Sequence, residues 1–160
     1  MQKSLRELFN NNHTVDIRHY LKTLEIPSSG VYKTRVIYDT EILKVEFVPY
    51  VIKPIKSLQL IHSDIISYDY KFLDRKDIDQ LYSMRGNADD VLIVKNGFIT
   101  DTSYANIIFK KETDWYTPSH YLLKGTMRES LLDAGLISEA IIDVNNYSQF
   151  KSFKLINSML

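Results

Sequence analysis

Three short segments of this chain carry residues whose types could act together. Tyr70-Lys71-Phe72-Leu73-Asp74-Arg75 places a lysine after an aromatic-rich run, and Thr100-Asp101-Thr102-Ser103-Tyr104-Ala105-Asn106-Ile107 places a carboxylate in a small, polar turn. Leu123-Lys124-Gly125-Thr126-Met127-Arg128 opens a helix with a glycine. A lysine amine can condense with an aldehyde and, with its pKa lowered by burial, can move protons. A carboxylate can keep a ring nitrogen protonated. The free amides of a helix start can accept a phosphate. Together these are the parts needed to hold pyridoxal phosphate. Each also has a plainer reading: a solvated surface lysine, a turn closed by local Asp and Ser bonds, and a helix start where glycine is tolerated and threonine helps to cap. Arg35, Arg75 and Arg128 are candidate partners for a substrate carboxylate, or simply structural and solvated charges.

The elements that must position these residues can be read from periodicity. Leu5, Leu8 and Phe9 fall at helical spacing, and Asn10-Asn11-Asn12 ends the pattern. A second helix is expected with Thr14 as its cap, burying Ile17, Leu21 and Leu24 and stopping before Pro27. Val31 to Tyr38 and Ile42 to Tyr50 read as strands joined by a short turn. Pro54 marks a joint, which gives a smaller domain over residues 1–53 and a larger one over 54–160. In the latter, Ser57 to His62 alternates as a strand, and Asp77 to Met84 reads as one or two helical turns. Val91 to Lys95 and Phe98 to Thr100 form a hairpin around Asn96-Gly97, a pair suited to a tight primed turn. Ala105 to Phe109 and Trp115 to Thr117 form another hairpin, and a helix from Thr126 stops at Gly135.

Composition narrows the function classes. The 160 residues are 44% hydrophobic and 12% aromatic, enough to bury a core. The net charge is zero, and no basic run tracks phosphates, so neither nucleic acid nor a membrane surface is expected as a partner. There are no cysteines, which excludes disulfides and thiolate metal sites. His13, His19, His62 and His120 lack the close spacing of metal pairs, so no metal is expected. No apolar run reaches membrane-spanning length, and Met1-Gln2-Lys3-Ser4 leads into an amphipathic helix, which makes the cytoplasm the expected compartment.

From about Arg35 to the C-terminus the motifs resemble those of the class IV aminotransferases, the fold-type IV pyridoxal-phosphate enzymes. Within that family they are most similar to the 4-amino-4-deoxychorismate lyases. The family's lysine segment is matched by Lys71, Leu73, Asp74 and Arg75, and its acidic turn by Thr100, Asp101, Thr102, Ser103, Asn106 and Ile107. Its third motif is matched by Tyr116, Thr117, Pro118, Leu123, Gly125, Met127 and Arg128, and a lyase-type phosphate loop by Ile156-Asn157-Ser158-Met159. Asp101 stands where glutamate is usual, and Thr102 where glycine is usual.

The resemblance implies an α/β (α+β) fold with a small α/β domain and a larger domain built on a β-barrel-like sheet. It implies Lys71 as the catalytic residue. It implies a pyridoxal-phosphate site formed by Lys71, Asp101, Ser103, Asn106, Gly125, Thr126, Met127, Asn157 and Ser158. A small-molecule amino substrate and a homodimer are expected. The implied reaction is conversion of aminodeoxychorismate to 4-aminobenzoate and pyruvate; the alternatives are a D-amino-acid or branched-chain aminotransferase, or a non-catalytic homologue. The family's first strands and a His-x-x-Arg segment that grips the phosphate have no counterpart ahead of Met1-Gln2-Lys3. The small domain is therefore expected to be incomplete, with an exposed sheet edge and the cofactor weakly held or absent.

Overall fold

The computed structural model describes residues 1–159; Leu160, the expected end of the larger domain, lies outside the described residues. The chain divides into two compact units, Met1–Lys53 and Pro54–Leu160.

In the first unit, α1 (Gln2–Phe9) buries Leu5 and ends at Asn10, whose left-handed backbone (φ 49°) turns its amide back to the Leu5 carbonyl. The next helix, α2 (Ile17–Lys22), is capped not by Thr14 but by Asp16, whose side chain accepts the His19 amide at 3.0 Å. Six residues span less than two turns, and Ile17 and Leu21 are only half-buried. Strands β1 (Tyr32–Tyr38) and β2 (Ile42–Pro49) pair antiparallel.

The second unit carries β3 (Leu58–His62), α3 (Lys76–Ser83), β4 (Asp90–Lys95), β5 (Phe98–Thr102), β6 (Asn106–Lys111), β7 (Asp114–Pro118), α4 (Thr126–Asp133), β8 (Ser138–Ala140) and β9 (Ser152–Ile156). A three-stranded sheet has the order β3-β4-β5 and a four-stranded sheet the order β8-β7-β6-β9. The two parallel pairs, β3 with β4 and β7 with β8, are those whose connections contain α3 and α4, as parallel pairing requires a crossover. At the β4–β5 hairpin, Asn96 (φ 50°) and Gly97 (φ 82°) both take positive angles, the geometry that suits a primed turn to the strand twist.

The fold is mixed α/β. The larger unit's two sheets share a core of Leu92, Val94, Ile99, Ile107, Phe109 and Ile142. On the other face of β4, Val91 and Ile93 pack with Ile61, Tyr68, Ile78 and Leu81. Because β4 is buried on both faces, its apolar run is nearly continuous, and each such side chain contributes about 1.5–3 kcal/mol on burial. A third cluster of Ile108, Ile137 and Ile156 takes Met127, Leu131 and Leu132 of α4. Among the described residues, no helix is long and apolar enough to cross a membrane, and no group of three or more His, Asp or Glu is placed to hold a metal ion.

Candidate active site

Lys71 stands exposed in the irregular segment between β3 and α3. Aromatic residues brace that segment on both sides of it. The Tyr68 hydroxyl donates to the Phe72 carbonyl at 3.2 Å, and the Phe72 ring meets Tyr68 and Tyr70 edge-on at 6.2 and 5.8 Å. Arg75 then fastens the segment to the acidic turn. Its Nη2 donates to the Ser103 carbonyl at 2.8 Å, its Nε lies 3.6 Å from Asp79, and its guanidinium sits 5.8 Å from the Tyr68 ring centre.

The turn after β5 is closed by Thr102: its amide and hydroxyl both donate to the Ala105 carbonyl, at 3.0 Å each. This gives the threonine at the usual glycine position a local task. Asp101, at the end of β5, is buried. Its Oδ1 accepts Asn106 Nδ2 at 2.7 Å, and its Oδ2 accepts the amides of Leu122 and Leu123 at 2.9 Å each. Burial pushes its pKa up to about 6, against the opposing pull of those three donors and of Arg128. A carboxylate offers about four lone-pair positions, so one on Oδ1 remains for a further partner.

Asn106 carries the connection onward. Its Nδ2 also donates to the Leu123 carbonyl at 2.9 Å, and its Oδ1 faces Gly125. A Cβ built on Gly125 would lie 1.9 Å from that oxygen. Gly125 has an ordinary extended backbone (φ −75°), so glycine is required here by the close approach and not by its conformation. Gly125→Ala is expected to destabilise the chain by about 2–4 kcal/mol, because Asn106 can retreat only by breaking two buried hydrogen bonds. Denaturant unfolding measures this, and a loss below about 1 kcal/mol would show that the contact yields freely.

Gly125 is also the N-cap of α4, where no side chain caps the first amides. An α-helix leaves its first four N–H groups without intrahelical partners. Two hydroxyls converge there, Thr126 Oγ1 and Ser158 Oγ, 3.1 Å apart. Beside Ser158, Asn157 Nδ2 is buried with no hydrogen-bond partner. Pairing of β9 with β6, with Ile156 opposite Asn106, brings this C-terminal segment to the helix start. The helix amides are uncapped, the two hydroxyls bond to each other, and Asn157 Nδ2 lacks a partner; an oxyanion would complete this set of donors. Met127 sends its side chain into the third core cluster, so only its amide is available to a ligand.

The structure therefore gathers Ser103, Arg75, Asp101, Asn106, Gly125, Thr126 and Ser158 through one series of contacts. Arg35 belongs to the first unit, where it lies opposite Glu46 on the neighbouring strand, 3.7 Å from its carboxylate. Arg128, open to a substrate-carboxylate or a structural reading, is sealed inside the fold with its side chain 2% exposed. Its Nη1 donates to Glu129 at 2.9 Å, and its Nη2 to the Pro118 carbonyl at 3.1 Å and to Glu139. Sequence reasoning passed over the amides of Leu122 and Leu123, which no side-chain type could reveal. It also passed over Asp90, a fully buried carboxyl beside Ser103 whose pKa is raised by burial against bonds from Val91 and Ser103.

Comparison with known proteins places this geometry among relatives. Residues 68–160 match the family described as amino-transferase class IV. An uncharacterised protein of Haemophilus influenzae is 34% identical over 161 residues, covering 99% of this chain and 85% of that protein. A Schizosaccharomyces pombe protein provisionally named an aminodeoxychorismate lyase is 38% identical over 77 residues, covering 44% of this chain and 33% of that protein. A solved structure from Haemophilus somnus, provisionally named a 4-amino-4-deoxychorismate lyase, superposes with a TM-score of 0.90 at 27% identity, covering 99% of this chain and 84% of that one.

Proposed function

This chain belongs to the amino-transferase class IV family, and on that premise we propose that it is a pyridoxal-phosphate-dependent lyase converting aminodeoxychorismate to 4-aminobenzoate and pyruvate. The family's fold is that of pyridoxal-phosphate-dependent aminotransferases and lyases. The observation that carries the reading is Asp101, a buried carboxylate aimed by three donors. It is joined through Asn106 and Gly125 to an uncapped helix start, and its turn is tied through Ser103 and Arg75 to the segment that holds Lys71. Pyridoxal phosphate, when bound, supplies an aldehyde for amines and a ring that takes up an electron pair.

The residues fit that group. The amides of Thr126 and Met127, the hydroxyls of Thr126 and Ser158, and the orphaned Nδ2 of Asn157 would hold the phosphate. Asp101 would keep the ring nitrogen protonated with the lone pair its donors leave open, and Asn106 and Ser103 would fix its place. Lys71 would bind the aldehyde and then take up and return the proton at the substrate carbon bearing the amine, as general base and acid. The substrate is a small amino compound, met in the cytoplasm. Exposed apolar side chains such as Val31, Leu43, Val48 and Ile52 support a homodimer, which light scattering would test.

The deciding experiment is an assay with aminodeoxychorismate and pyridoxal phosphate but no keto acid. Release of pyruvate and 4-aminobenzoate in equal amounts is expected. Exchange between amino and keto acids with no aromatic product would replace the lyase by a D-amino-acid or branched-chain aminotransferase. A chain that retains no visible absorption band after unbound pyridoxal phosphate is removed would point to a non-catalytic homologue.

A further inference from the structure

We infer that Arg128 is a positioning residue, clamping the connection between β7 and α4 so that the amides of Leu122 and Leu123 stay on the carboxylate of Asp101. The groups involved all belong to this chain, so the inference goes beyond the proposed reaction and stands whether or not pyridoxal phosphate binds.

The connection leaves β7 at Pro118 and enters α4 at Thr126. Arg128 grips it at its start, through the Pro118 carbonyl, and again in its middle, where the guanidinium lies 4.6 Å from the centre of the Tyr121 ring. Its contact with Glu139 anchors the same fork to β8. Farther along, Lys124 is held 2.8 Å from Glu129, whose other oxygen accepts Arg128 Nη1. Between the two held points, Tyr121 and Lys124, lie only Leu122 and Leu123. Their amides are the two donors on Asp101 Oδ2. A planar fork can reach Pro118, Glu129 and Glu139 at once while stacking on a ring, which a lysine cannot do.

Filling space is a poor account of Arg128. Its Nε is buried without a hydrogen-bond partner, and an unmade buried donor on a charged group costs stability that an apolar side chain would not. Its charge has a function toward Asp101. The groups bonded to that carboxylate, Asn106 from β6 and the two amides from the connection, are neutral; the positive charge of Arg128 adds a smaller pull toward the ionised form without a bond to it. Glu129 and Glu139 offset part of this charge, and Lys124 offsets part of that of Glu129.

The test follows the Asp101 carboxyl carbon by NMR in the whole chain labelled with ¹³C-aspartate, the signal being identified by its loss in Asp101→Asn. In Arg128→Met, the Leu122 and Leu123 amide signals should move, and the titration midpoint should rise measurably as these donors loosen and the positive charge is lost. Arg128→Lys, which keeps a charge but not the fork, should fall between. If a folded Arg128→Met leaves both the midpoint and the two amides where they are in the native chain, Arg128 is filler and the inference is wrong. Should Arg128→Met not fold, Tyr121→Leu removes only the half-exposed ring over which the guanidinium sits. It should move the same signals in the same direction by a smaller amount, and no movement would equally overturn the clamp.

Discussion

Lys71→Ala is expected to lower turnover by about 10²–10⁴-fold, the range for losing a positioned general acid and base, while leaving the fold intact. Two features of the structure separate these effects. Lys71 is exposed in an irregular segment, where substitutions usually change stability by less than about 0.5 kcal/mol. The segment itself is held by Tyr68, Phe72 and Arg75, which the substitution does not touch. The chemical check is independent of turnover: borohydride treatment of the native chain mixed with pyridoxal phosphate should fix the phosphopyridoxyl group to the peptide containing Lys71. Two other lysines offer alternative sites for the label: Lys95, which donates to the Ile66 carbonyl at 2.6 Å, and Lys124, which is bound to Glu129. Label on either of those, with Lys71 unmarked, would refute the assignment.

The elements around this lysine differ in how far their sequences disclosed them. The β4–β5 hairpin was legible because Asn96-Gly97 has a local reason to turn, and the end of α4 because Gly135 (φ 65°) sends its amide to Leu132 and the next amide to Leu131. Strand β9 was not legible. Its alternation of Phe153 and Leu155 with Ser152 and Lys154 is short, and what makes it a strand is pairing with β6. At the site, residue types gave Lys71, Asp101 and Gly125, but not what surrounds them. The donors on Asp101 Oδ2 are backbone amides 21 and 22 residues downstream, and a backbone amide has no signature in a sequence. Arg128 stayed open between a partner for substrate and a structural charge, because an arginine's letter does not say whether its fork is buried. The nearby carboxylates Glu129 and Glu139 were the only hint.

Asp101→Asn is expected to change two measurements in different ways. Free in the unfolded chain, the carboxyl ionises near its ordinary value of 3.8; in the fold it ionises near 6. Between those values the folded chain keeps the proton that the unfolded chain has released, so stability falls as pH rises through this window, by about 3 kcal/mol. Below pH 3.8 both states hold the proton, and above about 6 both have lost it with the full cost in place. The asparagine variant lacks this titration. It has a fixed cost of its own, about 1–3 kcal/mol, because its NH₂ must face either the Leu122 and Leu123 amides or Asn106 Nδ2, a donor against a donor. The native chain should therefore be the more stable of the two near pH 4 and lose most of that advantage by pH 7, a difference that paired melting curves would show. Turnover should fall by about 10²–10³-fold, the effect of removing one preorganised electrostatic group, with a much smaller loss of affinity for pyridoxal phosphate. Charge on the ring nitrogen would also favour the ionised carboxylate, so loading the native chain should flatten its decline between pH 4 and 6. A stability difference that does not change with pH would mean that the burial of Asp101 does not govern its ionisation. Equal losses of turnover and affinity would assign the carboxylate to holding the Leu122–Leu123 connection alone.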